Sequence, residues 1–147
     1  MKAAVRHVGI VVADLEKSLR FYRDLLGLSV IRTMEEAGPT IDALLGLRDV
    51  HVTTVKLAPS AGEVQVELLR FASSPGTQRG TIRPDTPGPT HVAFTVQDLS
   101  GLYHRLRQAG VGFLSLPLPS PDGRALVVFC RDPDGTLVEL VEMVERT

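Results

Sequence analysis

Apolar positions along this chain fall into short runs that follow the same order twice. Val5 to Val12 is apolar and rich in β-branched residues, the pattern of a buried strand. Asp14 then stands where a helix N-cap belongs. Leu15, Leu19, Tyr22 and Leu26 follow at helical spacing, and Gly27 supplies a left-handed stop. Leu28 to Met34 reads as a second strand, and Thr40 to Leu45 as a short helical turn ended by Gly46. Val50 to Leu57 and Val64 to Phe71 read as two further strands, joined as a hairpin through Pro59-Ser-Ala-Gly62. From Ala72 to Pro89 serine, proline and glycine take over, which marks a linker.

After the linker the pattern restarts. Thr90-His91-Val-Ala-Phe-Thr-Val96 matches Arg6-His7-Val-Gly-Ile-Val-Val12, and Asp98-Leu99 matches Asp14-Leu15. Leu99, Leu102, Leu106 and Ala109 form the stripe of a second helix, which Gly110 stops. Val111 to Leu116 reads as a strand, followed by a proline-rich loop from Pro117 to Pro121. Arg124 to Arg131 and Leu137 to Val144 read as the last two strands, joined by the turn Asp132-Pro133-Asp134-Gly135. Val138-Glu139-Leu140 matches Val66-Glu67-Leu68. Each half is thus strand, helix, then three strands. The expectation is an α+β fold of two tandem βαβββ modules within one domain, 1–147: module 1 about 4–71, linker 72–89, module 2 about 90–145.

Composition narrows the function classes. With 16 basic and 17 acidic residues the net charge is -1, which gives no electrostatic reason to expect nucleic acid or an anionic membrane as partner. No apolar run approaches the roughly 20 residues of a membrane helix. The segment from Met1 to Arg6 lacks the charged-then-apolar pattern of a secretory signal. The single cysteine, Cys130, lies in the strand-like run Leu126-Val-Val-Phe-Cys130 and reads as a buried, inert thiol. One cysteine allows no intramolecular disulfide, so a cytoplasmic location is expected.

The repeat places His7 opposite His91 and Glu67 opposite Glu139. Taken singly, a histidine in a strand is usually a core or edge residue, and a glutamate usually points to solvent. Two of each at matching points of two repeats are hard to explain by packing, and all four lie among apolar neighbours where an unpaired carboxylate is costly. Strand alternation sets His7 on one face with Gly9 and Val11, and Glu67 on one face with Gln65 and Leu69. Two imidazoles and two carboxylates are suitable ligands for one divalent ion, and they leave positions open for water or substrate oxygens.

These motifs resemble those of the vicinal-oxygen-chelate (glyoxalase-like) superfamily. The resemblance rests on His7-Val-Gly-Ile-Val-Val-Ala-Asp14-Leu15, Phe21-Tyr22-Arg23-Asp24-Leu25-Leu26-Gly27-Leu28, Val66-Glu67-Leu68-Leu69, His91-Val-Ala-Phe, and Arg131-Asp132-Pro133-Asp134-Gly135 followed by Glu139. It covers nearly the whole chain. It implies an open, U-shaped β-barrel around a metal site and a homodimer. It also implies a divalent ion (Zn, Ni, Co, Mn or Fe) held by His7, Glu67, His91 and Glu139.

The family spans glyoxalase I, methylmalonyl-CoA epimerase, extradiol dioxygenases, fosfomycin-resistance enzymes and metal-free antibiotic-binding proteins. Dioxygenases typically use two histidines and one glutamate, whereas the glyoxalase and epimerase branches add a fourth ligand at the position of Glu67. The resemblance therefore favours a metal-dependent lyase or isomerase that moves a proton next to a carbonyl of a small substrate, with Glu139 or Glu67 as the base. An extradiol-type iron dioxygenase and a non-catalytic resistance protein are the alternatives. Glu35, Glu36 and Asp42 are candidates for an epimerase-type base, and a solvated loop is the plain reading of the first two. Arg70, Arg79, Arg83 and Arg124 are scattered and form no clear basic patch for glutathione or coenzyme A.

Overall fold

A computed structural model describes residues 3, 5–59, 64–72, 80, 83–85 and 87–144. In chain order the elements are β1 (His7–Val11), α1 (Leu15–Leu19) running into a wider π-type turn (Arg20–Leu25), β2 (Ser29–Ala37), α2 (Pro39–Leu45), β3 (His51–Ala58) and β4 (Gln65–Phe71). Then follow β5 (His91–Thr95), α3 (Leu99–Gln108), β6 (Leu118–Pro119), β7 (Ala125–Arg131) and β8 (Leu137–Met143). The chain divides into two compact units, Met1–Gln78 and Arg79–Thr147. Among the described residues no helix is long and apolar enough to cross a membrane.

The first unit is a four-stranded sheet in the order β1-β4-β3-β2. β1 runs parallel to β4, and the hairpin neighbours are antiparallel. The residues expected to form the turn between β3 and β4 lie largely outside the described residues. Period-two alternation sorts the strands. Ile10, Val66, Leu68, Val55 and Leu57 are buried on one face together with Leu19, Tyr22 and Leu28, and α1 packs over β4. The Asp14 side chain accepts a hydrogen bond from the Lys17 amide at 3.1 Å, the N-cap expected from sequence. Gly27 takes φ +79° and stops the helix, because a side chain is strained there.

The second unit repeats the plan as β5-β8-β7-β6. α3 packs on β8 through Leu99, Leu102, Tyr103 and Leu106, all buried. The Asp132–Gly135 turn is closed by the Asp132 carboxylate, which accepts from the amides of Asp134 and Thr136 at 3.0 and 2.8 Å. Cys130 is fully buried, and burial pushes its thiol up to about 12, in keeping with an inert residue.

One expected strand is displaced. Val111 to Leu116 forms no continuous strand: only Phe113 bridges Cys130, with two flanking hydrogen bonds, Leu114 N–H to Phe129 and Arg131 N–H to Gly112. The paired edge is instead Leu118–Pro119, inside the segment read as a loop. Proline lacks an amide donor, so Pro117, Pro119 and Pro121 permit edge pairing only in a short piece.

Candidate metal centre

His7 opens β1, and Glu67 is the third residue of β4. The parallel register sets Gly9 beside Glu67 and His7 beside Gln65, so His7 and Glu67 share the sheet face away from the helix. Their side chains meet, His7 Nε2 lying 3.3 Å from Glu67 Oε2. In the second unit the same register recurs, with Ala93 beside Glu139 and His91 beside Leu137. His91 Nε2 again lies 3.3 Å from Glu139 Oε2. The side chains are 35% and 13% exposed in the first pair and 41% and 22% in the second, so each pair is open to a solute while its carboxylate is mostly sheltered.

The donor chemistry suits a divalent ion. Ligands about 2.0–2.2 Å from one cation stand about 3.0 Å apart in an octahedron and about 3.4 Å apart in a tetrahedron. The 3.3 Å contacts fall within that span. Each pair supplies two donors, fewer than a protein metal site normally uses. Sequence reasoning set all four residues around one ion. The structure brings them together two by two, and among the described residues no group of three or more metal-binding side chains stands within reach of one ion.

The neighbours of the two pairs differ. Glu67 faces Lys56 across the antiparallel ladder, and Lys56 Nζ lies 3.6 Å from Oε1, the carboxylate oxygen away from His7. At the matched position Glu139 faces Phe129, whose ring meets the His91 imidazole edge-on at 5.3 Å. His91 Nδ1 lies 3.0 Å from Thr90 Oγ1. Were Nε2 to hold an ion, Nδ1 would carry the ring proton and donate to that hydroxyl, which would fix the ring. Lys56 and Thr90 escaped the sequence reading. The signal for Lys56 was present, as the single charge between Val55 and Leu57 in a strand of otherwise uncharged interior residues.

The three candidate bases are separated by the sheet. Glu35 and Glu36 lie in β2 rather than in a loop. Glu36 pairs with Val52 and Met34 with Thr54, and Thr54 pairs in turn with Leu69, on the face of Glu67. Glu36 therefore shares that face, where the Thr54 hydroxyl donates to its carboxylate at 3.2 Å. Glu35 points to the other face and accepts from Thr53 at 2.9 Å. Asp42 is used structurally, accepting from the amides of Asp49 and Val50 at 3.0 and 2.8 Å.

Comparison with known proteins agrees with this architecture. The family model described as the Glyoxalase/Bleomycin resistance protein/Dioxygenase superfamily matches residues 4–140. A lactoylglutathione lyase of Haemophilus influenzae is 29% identical over 140 residues, 94% of this chain and 91% of the relative. A probable lactoylglutathione lyase of Synechocystis is 28% identical over 138 residues, 92% of each chain. The crystal structure of a glyoxalase family protein from Bacillus cereus superposes with a TM-score of 0.89 at 23% identity, over 99% of this chain and 97% of that one, which establishes the fold.

Proposed function

The chain belongs to the glyoxalase/bleomycin resistance protein/dioxygenase superfamily, and on that premise we propose that it is a metal-dependent lyase or isomerase moving a proton next to a carbonyl of a small substrate. The observation that carries this reading is the recurrence of one histidine–glutamate contact, at one distance, at matched positions of both units. Relatives named lactoylglutathione lyase, aligned over nine-tenths of the chain, support the lyase assignment. In this reading His7, Glu67, His91 and Glu139 are the ligands of one divalent ion (Zn, Ni, Co, Mn or Fe), and the working form is a homodimer.

A divalent ion at such a site polarises a carbonyl and stabilises negative charge developing on its oxygen. The chain's own residues do the rest. Glu139 accepts the proton from the carbon, since it faces Phe129 where Glu67 faces Lys56. Thr90 holds the His91 ring. Glu139 then returns the proton to the neighbouring position of the substrate. Incubating the metal-loaded protein in heavy water with a panel of 2-oxo and 2-hydroxy carbonyl compounds tests this. Deuterium should appear at the carbon beside the carbonyl. A loaded protein that exchanges nothing across the panel contradicts the reading.

One observation favours a second reading. If Lys56 keeps Glu67 to itself, then His7, His91 and Glu139 remain, a two-histidine, one-carboxylate set suited to iron(II) and oxygen. Oxygen consumption on a catechol by the iron-loaded protein would select that dioxygenase chemistry.

A further inference from the structure

The first unit carries a row of charge that the ligand reading leaves unused. Across the sheet face away from α1, Arg32 of β2 stands opposite Lys56 of β3, and Lys56 stands opposite Glu67 of β4. Like charges directly opposite each other on neighbouring strands repel. One nearby carboxylate offsets them, and both of its oxygens are occupied: His7 Nε2 lies 3.3 Å from one and Lys56 Nζ 3.6 Å from the other. Glu36 shares this face but sits four residues along β2 from Arg32, about 13 Å by strand rise, too far to neutralise it. Arg32 is exposed and makes no ion pair among the described residues. The matched position in the second unit holds Phe129, so this basic row belongs to the first unit alone.

Resting on the assignment of His7 and Glu67 as metal ligands, we propose that Arg32 and Lys56 form a subsite for an anionic oxygen group, carboxylate or phosphate, carried by the substrate. When the charge of Glu67 is committed to an ion, Lys56 loses its counter-charge and two cations lie side by side at the margin of the ligand pair. A substrate oxyanion satisfies both. The planar guanidinium of Arg32 offers two parallel donors, and the Lys56 ammonium a mobile point charge. Substrates of this class are small acids whose chelating oxygens and anionic tail are separated by a short spacer.

Calorimetric titration with matched probes tests the subsite. 2-Oxoglutarate and its 5-(N,N-dimethyl)amide share a chelating head and differ in the charge of the tail, and 3-phosphohydroxypyruvate replaces the carboxylate tail with phosphate. The wild type should bind 2-oxoglutarate at least about tenfold tighter than the amide. The phosphate probe shows which oxyanion the subsite prefers. In Arg32→Gln/Lys56→Gln the preference should shrink to less than about threefold, and in Arg32→Glu, a change at an exposed residue that spares the fold, it should vanish or invert. Equal affinity for the charged and amide tails in the wild type, no binding of any probe, or a preference that survives in both variants overturns the subsite. Metal content is measured on the same samples, and the titrations are repeated on metal-free protein. Failure to hold a metal then counts against the ligand assignment, whereas loss of discrimination by tail charge counts against the subsite.

Discussion

The two units share a plan and a histidine–glutamate contact, yet they surround it with opposite chemistry. In the first unit the strand facing Glu67 supplies Lys56, and the next strand supplies Arg32. In the second the corresponding strand supplies Phe129, flanked on the same face by Val127 and Val141, with Leu118 beyond. A duplicated scaffold has kept the positions that hold donors and let the flanking positions diverge. Divergence of that kind gives one histidine–glutamate pair a charged surround and the other an apolar one. The supporting helices diverged too. Glu142, three residues after Glu139, reaches the start of α3 and accepts from the amides of Asp98 and Leu99 at 2.8 and 3.1 Å. The matched residue of the first unit is Arg70, which has no acceptor to offer, and α1 relies on Asp14.

The largest expected effect tests the asymmetry of the carboxylates. Glu139→Gln should slow substrate deuterium exchange by about 100- to 10,000-fold, the usual worth of a general base. Glu67→Gln should act mainly by weakening metal uptake. Equal exchange rates in the two variants at matched metal loading would erase the distinction between the units. Next comes the symmetry of the cores. Leu68 and Leu140 hold matched positions and are fully buried, so either change to Ala should cost about 2–5 kcal/mol in urea unfolding. A large cost in one unit with none in the other would show that the two cores differ in packing. Smallest is the helix-start difference. Glu142→Ala should cost about 1–2 kcal/mol, because two amides lose a charged acceptor, whereas Arg70→Ala, at the exposed counterpart, should cost less than about 0.5 kcal/mol.

Much of this was legible in the sequence because it depends on local periodicity. Alternation put Ile10, Val66 and Leu68 on the covered face and His7 and Glu67 on the other, and Asp14 and Gly27 bounded the first helix. What was hidden depends on register between strands. That Lys56 would stand against Glu67, or that Glu36 and not Glu35 would share its face, follows from pairings between residues tens of positions apart. A one-residue slip would reverse them. The strand expected at Val111–Leu116 failed for a different reason. Its apolar content fits a strand, but the prolines that follow limit the ladder to Leu118–Pro119, and hydrophobicity alone does not register a missing amide.

In the proposed site the two histidine–glutamate pairs serve one metal ion together. Metal content per chain after loading with cobalt and dialysis tests this most directly, comparing the wild type with His7→Ala and His91→Ala. A shared site requires one ion per chain in the wild type and clearly lower occupancy in both variants, since each substitution removes one of the four donors and leaves three. Full occupancy in either variant, or two ions in the wild type falling to one in each, would contradict it.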